Sequence, residues 1–70
     1  MIKLNGVEYY HRAGVSLQEL VDEYNLTNPK IGLDEFVVVI NSTPLTSLQA
    51  QERILQENDD IRIVPFLPGG

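Results

Sequence analysis

The stretch from Ser16 to Tyr24 constrains this chain most, because it combines helical periodicity with a start signal. Leu17, Leu20, Val21 and Tyr24 follow the i, i+3, i+4, i+7 spacing that gathers apolar groups onto one helical face. Ser16 stands at the N-cap. Ser16-Leu17-Gln18-Glu19 fits a capping box, in which hydroxyl and carboxylate each serve an orphan backbone N–H. Val15 and Leu20 fall at the two hydrophobic-staple positions. Glu19, Asp22 and Glu23 take the outer face, where the helix dipole favours anions near the start. The helix is predicted to end near Asn25, and Pro29 forbids its continuation. A single amphipathic helix must bury its apolar face against something, and the flanking segments have to supply it.

Those flanks read as strands. Ile2-Lys3-Leu4 alternates apolar and polar, Asn5-Gly6 is the strongest short hairpin signal, and Val7-Glu8-Tyr9-Tyr10-His11 reads as the return strand. Gly14 marks a turn before the helix. Thr27 to Glu35 is a loop punctuated by Pro29 and Gly32. Phe36-Val37-Val38-Val39-Ile40 is β-rich and apolar on both faces. Asn41-Ser42-Thr43-Pro44 reads as a turn, Leu45 to Gln56 as a short helical turn plus a short strand, and Glu57-Asn58-Asp59-Asp60 as a polar turn. Ile61-Arg62-Ile63-Val64 is the last strand. The first and last strands are apolar enough to pair in parallel at the centre. The expected architecture is an α+β roll, a mixed sheet with one main helix on one face, which is the β-grasp or ubiquitin-like arrangement.

Composition excludes several functions. Seventy residues make one domain. There is no cysteine and one histidine, so disulfide frameworks, cysteine–zinc sites and multi-histidine metal centres are ruled out. Ten Asp+Glu against five Lys+Arg give a net charge of −5. Lys3, Arg12, Lys30, Arg53 and Arg62 are scattered, so neither nucleic acid nor an anionic membrane is an expected partner. Met1-Ile2-Lys3-Leu4-Asn5-Gly6 lacks the features of a signal peptide, and a cytoplasmic address is expected.

The chemistry-bearing candidates are few. The carboxylates Glu19, Asp22 and Glu23, and the pair Asp59 and Asp60, read as solvated faces and turns rather than acid–base pairs. His11 has no serine or cysteine nucleophile nearby. Tyr9 and Tyr10 point to opposite sheet faces, one packed and one exposed. Asn25-Leu26-Thr27 matches a glycosylation sequon, a reading that needs secretion.

The sequence then closes on Pro65-Phe66-Leu67-Pro68-Gly69-Gly70, read as a flexible tail (65–70) on a domain spanning 1–64. Glycines are thin and conformationally free, so a carboxylate carried on them can enter a channel that a side chain would block. Fully extended, Phe66 to Gly70 reach about 16–18 Å at most. A free α-carboxyl at Gly70 is ionised at neutral pH and able to attack the α-phosphate of ATP, giving an acyl-adenylate open to sulfur or amine nucleophiles. A diglycine end by itself is what a frayed terminus also offers. Its weight comes from following directly on the last strand of a β-grasp pattern.

Several residues together carry a family resemblance. They are the Leu4-Asn5-Gly6 hairpin, the Ser16-capped helix with Leu20-Val21, the strand Val37 to Ile40 followed by Asn41, and Asp60-Ile61-Arg62-Ile63-Val64 leading to Gly69-Gly70. The chain resembles, over essentially its whole length, the ThiS/MoaD class of bacterial sulfur carriers, and is most similar to the ThiS branch of thiamine biosynthesis. The resemblance implies a protein co-substrate rather than an enzyme, with no bound cofactor. An E1-like adenylating enzyme using MgATP would activate Gly70, with Gly69 giving channel access. A sulfur donor would form the thiocarboxylate, and a sulfur-accepting enzyme such as thiazole synthase would receive it. Phe66, Leu67 and Val38 are the expected partner-binding residues, the last on an uncovered sheet face. Two departures stand out. Asn58 occupies a turn where the family often has Gly, and Asn is the next-best residue at positive φ. Pro68 is unlike the tail of a typical thiamine carrier, and Pro65 is similar to the proline-containing tail of the molybdopterin carrier, so that pathway or another is the alternative recipient. A ubiquitin-like modifier and a plain interaction domain are the rival classes.

Overall fold

The computed structural model describes residues 1–34 and 36–65. Within them the order is β1 (Ile2–Leu4), β2 (Val7–Tyr9), α1 (Leu17–Tyr24), β3 (Phe36–Ile40), β4 (Thr43–Leu45), α2 (Ser47–Glu52) and β5 (Asp60–Pro65). The strands form a mixed sheet in the order β2-β1-β5-β3-β4. β1 and β5 are parallel, Leu4 opposite Ile61, and the other pairings are antiparallel. This is the expected β-grasp.

Asn5 and Gly6 adopt φ of +50° and +85°, the two positive values that a type I′ turn requires. Alternation along each strand then decides what is buried. Ile2 and Leu4 of β1, Val38 and Ile40 of β3, and Ile61 and Ile63 of β5 face Leu17, Leu20, Val21 and Tyr24 of α1. Each large aliphatic buried this way contributes about 1.5–3 kcal/mol. Val15, Leu33, Ala50 and Leu55 close the ends of the core.

The start of α1 is capped by half of the expected box. The Ser16 hydroxyl accepts the Glu19 N–H at 3.1 Å, but Glu19 returns no bond among those observed. The complete capping box lies instead at α2. There the Thr46 hydroxyl accepts from Gln49 N–H at 3.1 Å, and the Gln49 side-chain oxygen accepts from Thr46 N–H at 2.9 Å. Exposed α1 carboxylates have water as a better partner, whereas the six-residue α2 is held at its start by this reciprocal cap.

Two segments differ from the sequence reading. The turn after β3 is confined to Asn41 and Ser42, at φ of +52° and +70°, so Thr43 and Pro44 belong to a strand. Pro44 is tolerated because β4 is an edge. The short strand expected after α2 reduces to one bridge, Ser16 to Ile54. In the next turn Asn58 has a φ of +71°, the backbone position at which Asn replaces Gly.

Asp59 is not the solvated turn residue expected from its neighbours. It is 3% exposed. Its Oδ1 accepts from Asn41 Nδ2 at 2.9 Å, and its Oδ2 accepts from Gln56 N–H at 2.8 Å and from the Arg53 guanidinium at 3.1 Å. Asn41 completes the lock, its Oδ1 accepting from Asp60 N–H at 2.9 Å. Burial opposes ionisation of Asp59. The bonds from Gln56, Asn41 and Arg53 outweigh it and hold the carboxyl below its usual range.

Candidate functional site

The site is the end of β5 and the sheet face that α1 leaves uncovered. β5 lies between β1 and β3, so the chain approaches its C-terminal residues along a strand in the middle of the sheet. Val64 pairs with Val37, and Pro65 with Phe36, which extends the last strand one residue beyond the expected boundary. Phe66, Leu67, Gly69 and Gly70 lie outside the described residues.

Pleat alternation sends Lys3, Glu8, Asp60, Arg62, Val64, Val37, Val39 and Pro44 to the open face. The face divides in two. Lys3, Glu8, Asp60 and Arg62 make a charged half towards β2, with Arg62 Nε 3.9 Å from Asp60 Oδ1. Val37, Val39, Val64 and Pro44 make an apolar half on β3, β4 and the end of β5. Val64 is 48% exposed. Val38 does not belong to this face. It is 1% exposed and packs in the core, because it shares the inward parity of Ile40. The run of valines required some to face outward, and they are Val37 and Val39.

The other candidates have structural partners or none. His11 Nε2 lies 3.3 Å from the Leu55 carbonyl, tying the segment before α1 to the one after α2. Tyr9 packs against the core, and its phenol is pushed up in pKa, first by burial and then by Glu23 and Tyr24, so it is a neutral group rather than a base. Tyr10 is 82% exposed. Glu19 and Asp22 are exposed, and Glu23 reaches Arg12 at 3.5 Å. The Asn25 amide is fully engaged, donating to the Ile31 carbonyl and accepting its N–H, both at 2.8 Å. The sequon asparagine thus has a structural role in closing the loop after α1. Among the described residues no cluster of metal-ligating side chains forms, and no helix is long and apolar enough to cross a membrane.

Sequence reasoning missed two devices. The Thr46-Ser47-Leu48-Gln49 box was readable as a capping signature. The Asn41–Asp59 contact spans 18 residues of sequence and leaves no local signal.

An open-faced mixed sheet with its last strand at the centre and one main helix on one face places the chain in the β-grasp, ubiquitin-like fold class. The chain matches the model of the ThiS family over residues 2–70 and belongs to that family, which makes it a sulfur carrier by descent. No curated protein matches it.

Proposed function

We propose that Gly70 is the reacting residue of the carrier. Its carboxylate oxygen attacks the α-phosphate of MgATP on an E1-like adenylating enzyme, and pyrophosphate leaves. A sulfide-level sulfur delivered as hydrosulfide then attacks the acyl carbon, AMP departs with the electron pair of the acyl–phosphate C–O bond, the S–H proton passes to solvent, and a C-terminal thiocarboxylate remains. In this reading Gly69 gives the chain passage through the enzyme's channel, and Phe66 and Leu67 anchor its entry. The protein is consumed and regenerated as a co-substrate in the cytoplasm. The recipient is a sulfur-accepting enzyme of thiamine thiazole formation. Pro65 favours a second recipient, the molybdopterin pathway, through its likeness to that carrier's tail.

One observation carries the reading. β5, a central strand, delivers the chain beside an apolar half-face of Val37, Val39, Val64 and Pro44. Such a patch beside the end of β5 is where an activating enzyme gains docking energy. Full burial of an exposed valine is worth about 1.5–3 kcal/mol, and Val64, already half-buried, has about half of that left to gain, to which a buried carboxylate in its place adds a desolvation cost. Val64→Glu is therefore expected to raise the KM of adenylation roughly tenfold or more while the thermal melt stays within a few degrees. An unchanged KM would remove the face from the docking surface.

The direct test is intact mass after incubation with MgATP, a cognate adenylating enzyme and a sulfur source. The expected result is one oxygen-for-sulfur exchange, located at Gly70. No exchange, with enzyme and donor verified on another carrier, overturns the proposal. High-mass lysine conjugates in its place would indicate a modifier.

A further inference from the structure

We infer that Asn5 is a positioning residue for the C-terminal segment: its side-chain amide closes the β1 side of β5 at Ile63 and thereby sets the line along which the chain leaves the sheet. The purpose of this clamp rests on the carrier reading, but its geometry does not.

Alternate residues of β5 and its approach turn their backbone towards β1. Lys3 N–H donates to the Asp59 carbonyl at 3.0 Å, and Asn5 N–H donates to the Ile61 carbonyl at 2.9 Å. Ile63 is next in this series, but β1 has ended at Leu4 and the backbone is already turning at Asn5, with a φ of +50°. Backbone groups of Ile63 would face a gap. The Asn5 side chain fills it. Its Oδ1 accepts from Ile63 N–H at 2.8 Å, and its Nδ2 donates to the Ile63 carbonyl at 3.0 Å. One amide thus supplies both the donor and the acceptor of a strand that is no longer there. Ile63 is 1% exposed, so water is a poor substitute.

The next residue of the series is Pro65, which has no N–H and leaves no donor unpaired on that side. On the other side Val64 and Pro65 remain paired with Val37 and Phe36. Among the described residues, the strand beyond Ile63 is therefore held by β3 alone, and Asn5 is the last restraint towards β1. Without it, the end of β5 is free to swing about the β3 ladder, and the departure of the reacting segment swings with it. Effective placement of a reacting group is steep in distance, a 1 Å error costing up to about a hundredfold in rate.

Hairpin chemistry does not explain the choice of residue, since Asp-Gly suits the same turn. Only Asn also brings a donor for the Ile63 carbonyl. Asn5→Asp keeps the turn, the size and one acceptor but deletes that donor. Asn5→Gly keeps the turn and deletes the amide. The full-length variants should be compared by amide hydrogen exchange at Ile63, by ¹⁵N order parameters at Val64, and by steady-state adenylation with the cognate enzyme. Both variants are expected to melt cooperatively and to show lower order at Val64; Asn5→Gly is also expected to lose Ile63 protection, whereas Asn5→Asp keeps the acceptor for the Ile63 N–H. Their kcat should fall roughly tenfold and by a larger factor than KM rises, because every side chain of the docking face is kept and only the line of departure is loosened. Retained protection at Ile63 in Asn5→Gly, unchanged order at Val64 in both variants, or lower order with unchanged kcat overturns the inference. If the native chain itself is not adenylated, the carrier reading fails. Val64 order then decides the clamp: a fall in the variants upholds it and no change overturns it. Should one variant not fold, the other carries the test.

Discussion

A chain bearing one extra residue after Gly70 is expected to fold as the native chain does and to give no adenylate and no thiocarboxylate. The reason is distance. One residue moves the terminal carboxylate by up to about 3.3–3.6 Å, while attack needs the reacting atoms about 3–3.5 Å apart and aligned. A displacement as large as the reaction distance itself costs more than a hundredfold by the same measure. The extension also replaces the Gly70 carboxylate with an amide, which is no nucleophile. Among the described residues the core ends at Ile63, well before the addition, so the thermal melt should not move. Gly69→Ala is the milder companion. It leaves the carboxylate in sequence position and adds a single Cβ to the passage, so the rate should fall while the melt stays unchanged. Pyrophosphate exchange and intact mass read both. Native-like activation of the extended chain would sink the carrier reading. An interaction domain with an incidental diglycine would keep its binding after Gly69 and Gly70 were removed.

Asp59→Ala is expected to cost about 3 kcal/mol, the lower end of the range for breaking a buried ion pair. The lower end applies because the Arg53 side chain is 31% exposed and regains water. The Gln56 N–H and the Asn41 amide also lose their acceptor. For a 70-residue domain, with roughly 0.05–0.15 kcal/mol of stability per residue, that is a large share of the total. The effect has a pH signature. The Asp59 carboxyl is held below its ordinary value of 3.8 in the folded state. Its stabilisation is therefore fully present above that value and fades as pH falls through the depressed folded pKa. Glu57, also lowered, chiefly by its bond to the terminal amine, is common to both proteins and cancels in the comparison. Urea midpoints of native and variant chains should stand far apart at neutral pH and converge in acid. A gap that stays constant with acidification would assign the cost to packing rather than to the charge.

These predictions draw unequally on what was legible beforehand. α1 was readable because its apolar spacing, its N-cap and Pro29 are all local, and each agrees with the others. The first hairpin was readable because Asn5-Gly6 has few alternative conformations. β4 was not, since Pro44 argues against a strand unless its place at the sheet edge is known. Val38 was misplaced for a related reason. In Val37-Val38-Val39 every residue is apolar, so composition cannot tell inward from outward, and only the register against Ile63 and Leu45 settles it. Asp59 looked like its exposed neighbour Asp60 because burial of a carboxylate depends on donors brought from Asn41, Arg53 and Gln56.

The division is physical. The sequence by itself determined the helix, the opening turn, the strand-rich flanks and the glycine pair at the end, because each depends on residues within a turn or two of one another. Contacts between distant segments settled which valines are surface and which carboxylate is buried. They also settled that Asn5 serves β5 as well as its own turn, since the partners are 58 residues apart. Contacts of that kind are set when strands acquire a register, and no local pattern records it.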